Sequence, residues 1–309
     1  MKEEDKILRW FYLAVLAIIW GSSFILMKRG LVSFSPDQVA AIRMFVSFIA
    51  LLPFVIKHMK KVKKEHYKWI FLSGILGNGI PAFLFTHAQT HVVSAVAGML
   101  NSLTPVFVVI IGTVLFGSRF RFSHIAGVII GLAGAVTLIL IHSSGHLRNE
   151  NNWYGMLIIF ATICYAFSVN IIRKYLLSVE ALFIAGFALF AAGIPCGIFL
   201  FTTDFTTRFT TQPEAWESFG YIVTLALFGT AFSTVMFYKL VKISNALYAS
   251  SVTYLIPIVA MLWGVFDNEG LGWYHIMAMA GILLGVYLIN LESIREMKAK
   301  KVYPVNSGA

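Results

Sequence analysis

The chain has 309 residues, 59% of them hydrophobic and 12% charged, and a mean hydropathy of +0.81. That composition excludes a soluble globular protein. The net charge of +10 raises nucleic acid as a partner, a reading that depends on where the charges fall.

A bilayer core takes about 20 mostly apolar residues per helical crossing. Ten such stretches run in order: Trp10–Met27, Val39–Ile56, Tyr67–Thr86, Val93–Leu115, Ile125–Ile141, Gly155–Ile172, Leu182–Thr202, Phe219–Tyr238, Ala246–Phe266 and Trp273–Leu291. They lack period-2 alternation and are too long for barrel strands, which predicts an all-α membrane protein of ten transmembrane helices. No small-residue cleavage site follows the first run, so it is expected to be a retained helix. Cys164 and Cys196 both fall inside spans, where a disulfide is not expected. With the N-terminus inside, the inside segments carry nineteen of the 24 Lys and Arg residues and the outside segments four, with Arg43 inside span 2. This positive-inside pattern makes the basicity topological, puts both termini in the cytoplasm, and removes nucleic acid as an expected partner.

Span 1 carries Trp20-Gly21-Ser22-Ser23-Phe24 and ends on Lys28-Arg29; span 6 repeats the pattern 145 residues later with Tyr165, Ser168 and Arg173-Lys174. Span 2 opens on Phe34-Ser35-Pro36-Asp37, a turn and helix cap. Spans 3 and 8 match at an offset of 152 through Gly77 and Gly229, Phe85 and Phe237, and His87 and Lys239. Span 4 is interrupted by Asn101, Ser102, Thr104 and Pro105, and span 9 places Pro257 at the same offset. Spans 5 and 10 share Gly127-x3-Gly131 and Gly281-x3-Gly285, expected to pack helices within each half. A five-span unit is thus written twice, over residues 1–147 and 148–309, the second copy with a basic cytoplasmic tail. Five is odd, so the copies enter the membrane from opposite faces, giving two inverted five-helix repeats, the device of secondary transporters.

None of the fourteen acidic residues lies at the middle of a span, which argues against an intramembrane carboxylate relay. HExxH, GxSxG and Walker A patterns are all missing, so no enzyme, metal or cofactor is expected. Arg43 is either a clamp onto carbonyls freed near a helix break or a substrate contact. His87 is either an interfacial residue or a substrate or proton contact. Gly98, Asn101 and Pro105 share one face of span 4; Ser250, Thr253 and Pro257, with Tyr254 beside them, do the same on span 9, with Pro105 and Pro257 expected to shape the helices rather than to touch substrate. Trp20 and Ser23 on span 1, echoed by Tyr165 and Ser168 on span 6, and Asn78 on span 3 complete the candidate cavity wall. Helix packing alone is the competing explanation for these stripes. Val109 is expected to face lipid.

Through Trp20-Gly21-Ser22-Ser23-Phe24, Arg43, Leu103-Thr104-Pro105-Val106-Phe107 with its copy Leu255-Ile256-Pro257-Ile258-Val259, and the paired glycines of spans 5 and 10, the chain resembles the EamA branch of the drug/metabolite transporter superfamily. The resemblance covers roughly residues 10 to 291. It implies a cytoplasmic-membrane carrier whose central cavity is lined by spans 1, 3, 4, 6, 8 and 9, often exporting amino acids or related metabolites. The sequence departs from that pattern at Ser118, where the family commonly has Glu; Glu269 supplies the acid in the second half. The expected partners are a small-molecule substrate and the lipid bilayer, with monomer and homodimer both open. A nucleotide-sugar or drug carrier is the alternative within transport, and a membrane-embedded enzyme or sensor the alternative outside it.

Overall fold

The computed structural model describes residues 3–58, 62–117, 126–127, 129–130, 133–134, 136–137, 153–244 and 246–302. The fold is all-α. Among the described residues, eight stretches are long and apolar enough to cross a membrane: Ile7–Gly30, Pro36–Lys57, Lys64–Ala88, Ser94–Phe116, Tyr154–Tyr175, Ala181–Thr202, Ala215–Ile243 and Tyr248–Phe266. The helix Trp273–Val302 adds span 10. Most of span 5, including Gly131, lies outside the described residues, as does Ser118; the described residues of that span are helical. Helices are the outcome because lipid offers backbone groups no partner outside their own segment.

Local chemistry sets the helix ends. Ser35 and Gln38 form a reciprocal cap at the start of span 2: Gln38 N donates to Ser35 Oγ (3.3 Å) and Ser35 N to Gln38 Oε1 (3.0 Å). Span 4 is two half-helices, Ser94–Asn101 and Thr104–Phe116, and span 9 is broken likewise by a tight 3-10 turn, Ser251–Tyr254, before Ile256–Phe266. Thr104 Oγ1 donates to Asn101 O and Thr253 Oγ1 to Ser250 O, both at 2.8 Å, covering carbonyls that the breaks expose. Pro105 and Pro257 sit in the first turn of the resumed helices, where a missing N–H costs no hydrogen bond. They start helices rather than kinking continuous ones.

A second matched irregularity lies in spans 3 and 8. Each contains a wide π-helical stretch, Ile75–Gly79 and Leu225–Phe232, overlapping at the repeat offset. A π stretch leaves carbonyls short of their usual partners. In span 8 side chains from neighbouring spans serve those carbonyls: Ser47 Oγ donates to Ala226 O (2.8 Å) and Trp20 Nε1 to Gly229 O (3.1 Å).

Contacts at the helix ends sort the loops onto two faces. On one face Ser218 Oγ donates to Arg29 O (3.0 Å), Lys28 pairs with Asp267, and His91 stacks on Tyr154 at 3.9 Å. On the other, Trp69 stacks on Tyr175 at 3.8 Å and Lys242 Nζ donates to Val179 O. The described helix ends alternate between these faces, as two antiparallel five-span units require.

The repeat is also visible in the contacts that join the halves. A methyl on Gly77 would lie 2.4 Å from Ser168 Oγ, and one on Gly229 would lie 2.7 Å from Ser23 Oγ. Tyr165 stacks beside Phe85 with centroids 6.1 Å apart, and Trp20 beside Phe237 at 5.1 Å. Each pair is one contact made twice, span 6 on span 3 and span 1 on span 8. Two further joints pair equivalent spans with each other: span 2 with span 7, where a methyl on Gly193 would lie 2.3 Å from Phe48 Cβ, and span 4 with span 9. The glycine expectation for span 10 needs correction. A methyl on Gly281 would lie 3.7 Å from Gly134 Cα, so this glycine meets span 5 of the other half.

Candidate functional site

Because spans 1 and 6 close on spans 8 and 3 through small residues, the broken spans 4 and 9 enclose a space at the centre of the bundle. The cavity holds about 900 Å³ of empty space, its open mouth included. Trp20, Ser23, Phe24 and Met27 line it from span 1, Gly77, Asn78 and Phe85 from span 3, and Asn101 and Thr104 from span 4. Tyr165, Ser168 and Val169 face them from span 6, with Gly229, Thr234, Phe237 and Tyr238 from span 8 and Ser250 and Thr253 from span 9. Arg43 of span 2 completes the wall.

Trp20 is fixed by two bonds of its indole N–H, to Gly229 O at 3.1 Å and Ser233 Oγ at 2.9 Å. Ser168 Oγ donates to Ser73 O at 2.9 Å, next to the π stretch of span 3. Asn78 is held from both ends: Thr234 Oγ1 donates to its Oδ1 (3.2 Å) and its Nδ2 donates to Tyr238 Oη (3.3 Å). These bonds keep the polar wall rigid and leave little rotamer freedom to lose on binding.

Two groups are left unmatched. Arg43 Nε donates to Thr230 Oγ1 at 2.6 Å, and no carboxylate pairs with the guanidinium among the described residues. Asn101, 7% exposed, turns a buried Oδ1 that has no hydrogen-bond partner among the described residues. A buried acceptor left unpaired costs on the order of 1–3 kcal/mol. The wall therefore carries one positive charge without a counter-ion and one buried carbonyl oxygen without a partner among the described residues.

Not every candidate residue reaches the cavity. Trp20, Ser23, Arg43, Asn78, Asn101, Tyr165, Ser168, Ser250 and Thr253 line it. Gly98 does not: a methyl there would lie 2.6 Å from Ala260 Cβ, so its role is the joint of span 4 with span 9. His87 lies at the face that carries Lys28, where its Nε2 is 2.8 Å from Asp37 Oδ1. Tyr254 packs half-buried against the core, and Pro105 and Pro257 are buried behind the wall. Val109 is buried as well, whereas Val114 is 73% exposed. Sequence reasoning missed Thr104, Thr234 and Tyr238. It also missed Thr230, although the repeat offset links this residue to Asn78 and so gave a signal. Tyr238 aligns with Thr86 and had none.

A cavity walled by matched spans of two oppositely oriented five-helix units defines a membrane transporter. The model of the EamA-like transporter family matches residues 8–140 and 152–291, and the chain belongs to that family. It is 25% identical to an uncharacterized transporter of Archaeoglobus fulgidus over 91% of this chain and 98% of that protein. It is 27% identical to the uncharacterized inner membrane transporter YedA of Escherichia coli over 90% of this chain and 89% of that protein. A solved crystal structure, 17% identical, superposes with a TM-score of 0.63 over 96% of this chain and 99% of its own, a likeness of fold.

Proposed function

We propose that the protein is a secondary carrier of the cell membrane that exports a small amphipathic metabolite, an amino acid or a related compound, by alternating access. The observation that carries this reading is the pair of unmatched polar groups in an aromatic cavity. Arg43, with no carboxylate of its own among the described residues, suits a substrate carboxylate, and Asn101 Oδ1 suits a substrate ammonium or amide N–H. Trp20, Tyr165 and Phe237 would take the apolar body. Tyr254, Gly98 and His87 drop out of the substrate wall in this reading, and Thr104, Thr234 and Tyr238 enter it.

The proposed organisation is residues 1–147 and 148–309 rocking about the cavity, with both termini and the Lys-rich face in the cytoplasm. Transport rather than catalysis is supported by family membership, by relatives that are named as transporters and by a lining that carries no Asp, Glu, His or Cys among the described residues. Arg43 also fits a phosphate, so a nucleotide-sugar carrier is the second reading. The test is uptake into proteoliposomes of labelled amino acids and, as a separate arm, nucleotide sugars, with and without an imposed pH gradient. Saturable amino-acid flux supports the first reading, and nucleotide-sugar flux alone replaces it with the second. No flux of any solute by folded, oriented protein contradicts both.

A further inference from the structure

We infer that Glu269 is the gate residue of the outer mouth: its carboxylate clasps the loop after span 9 to spans 1 and 4, must let go before the carrier opens outward, and has no counterpart among the described residues of the inner face. The inference rests on the alternating-access reading and the orientation proposed above.

Glu269 lies in the loop between spans 9 and 10, and its side chain is 0% exposed. Its Oε1 accepts from Lys28 Nζ at 3.0 Å and from Ser94 N at 3.1 Å, and its Oε2 accepts from Ala95 N at 3.0 Å. Lys28 ends span 1, and Ser94 and Ala95 begin the first half-helix of span 4. One carboxylate thus ties the loop after span 9 to span 1 and to span 4 at once. The two amides are N–H groups at a helix start, which have no partner within the helix and sit at the positive end of its dipole. A buried carboxylate served by an ammonium and two such amides is fully satisfied, and withdrawing the loop would strand charge on both sides. Space for the clasp depends on Gly264, where a methyl would come within 2.9 Å of Glu269 Oε2 and 3.1 Å of Ala95 Cβ. Asp267 strengthens the same mouth by pairing with Lys28 and Arg29.

The inverted repeat predicts an equivalent place on the inner face, and its chemistry differs. Arg173 and Lys174 end span 6 as Lys28 and Arg29 end span 1. The segment that corresponds to the clasp is the end of span 4 and the start of the loop after it, where the sequence from Thr113 to Ser118 includes no carboxylate. Lys174 Nζ instead lies over the rings of Phe116 (5.4 Å) and Tyr175 (5.5 Å), and no acid pairs with Arg173 or Lys174 among the described residues. A cation over a ring holds less firmly than charge-assisted hydrogen bonds to a buried carboxylate. Two closures of unequal strength at pseudo-equivalent places bias a two-state equilibrium, here toward the state closed outside.

The experiment uses the full chain with Cys164 and Cys196 replaced by Ala and one reporter, Val169→Cys, in the cavity wall. Sealed right-side-out and inside-out vesicles are treated with a membrane-impermeant maleimide, and labelling rates from the two sides are compared. The reference protein should label faster from the cytoplasmic side. Glu269→Gln should raise labelling from outside about tenfold and lower it from inside, Lys28→Met should act in the same direction, and Glu217→Gln, an exposed acid on the same face, should do neither. An unchanged ratio in monodisperse Glu269→Gln protein overturns the inference, as does faster outside labelling of the reference protein. If Glu269→Gln does not fold, Lys28→Met and Asp267→Asn decide by the same ratio. Labelling from neither side in any variant overturns alternating access along with the clasp, whereas inside labelling that Glu269→Gln leaves unchanged overturns the clasp alone.

Discussion

Adding one methyl at Gly77 should destabilise the protein through a single neighbour, and removing one oxygen should reverse most of the loss. In Gly77→Ala the new carbon would lie 2.4 Å from Ser168 Oγ and 3.1 Å from Ser168 Cβ. Non-bonded contacts rest near ~3.5 Å, so the neighbour must retreat by about 1 Å. Ser168 cannot retreat freely, because its Oγ donates to Ser73 O at 2.9 Å. Overpacking a tight interior costs about 1–3 kcal/mol, and losing an intramembrane hydrogen bond costs a further ~0.6 kcal/mol. Ser168→Ala removes the oxygen and should return more than half of the lost stability. Gly229→Ala should be rescued only in part by Ser23→Ala, because the added methyl lies 2.7 Å from Ser23 Oγ and also 2.8 Å from Leu225 Cδ1, a contact that Ser23→Ala leaves in place. The crossed combinations, Gly77→Ala with Ser23→Ala and Gly229→Ala with Ser168→Ala, should be additive within about 0.5 kcal/mol. Unfolding midpoints in detergent at one fixed scan rate read the effect, at roughly 2–4 °C per kcal/mol. Failure of Ser168→Ala to rescue Gly77→Ala, or rescue by Ser23→Ala, would refute the inverted pairing of spans.

Two further expectations concern the frame around the cavity. Trp20→Phe keeps a ring against Phe237 but removes the donor to Gly229 O and Ser233 Oγ, leaving a carbonyl of the π stretch unserved; it should cost about 1–3 kcal/mol, seen as a lower midpoint. An unchanged midpoint would mean that the indole N–H contributes nothing. Asp204, beyond the end of span 7, is held below the usual carboxylate range, first by its hydrogen bond from Arg208 and also by one from Gln38. A depressed folded value means the contribution is present above the unfolded value, about 3.9, and is lost as pH falls through the lower folded one. Protection of this loop against hydrogen exchange, taken relative to the intrinsic rate at each pH, should therefore fall as the pH drops below about 4, and Asp204→Asn should abolish that dependence.

The spans, their pairing and the breaks in spans 4 and 9 were legible because each rests on composition or on an offset that can be read twice. Ser35 and Gln38 were legible in part, since a cap is local chemistry. The matched π stretches were not, because a wide helical turn leaves the hydrophobic pattern of a lipid-buried helix unchanged. Gly98 was assigned to the cavity because a small residue on a polar stripe looks the same whether it faces a substrate or Ala260. His87 could be placed correctly only with its partner, Asp37, fifty positions away. Val109 looked lipid-facing because apolar residues carry no mark that separates lipid from protein neighbours in a membrane. Arg43 stood out in the sequence by its charge, but its partner Thr230 comes from the opposite half.

The central claim is that the cavity between the halves is the transport path. Its most direct test is initial uptake of the transported solute by proteoliposomes bearing Asn101→Ala, compared with Val114→Ala, whose side chain is exposed on the outside of the bundle. Losing the acceptor proposed to meet the substrate should reduce flux about tenfold, the equivalent of roughly 1.4 kcal/mol, while Val114→Ala should match the parent. Equal flux in the two variants, at equal amounts of folded protein, would contradict the account.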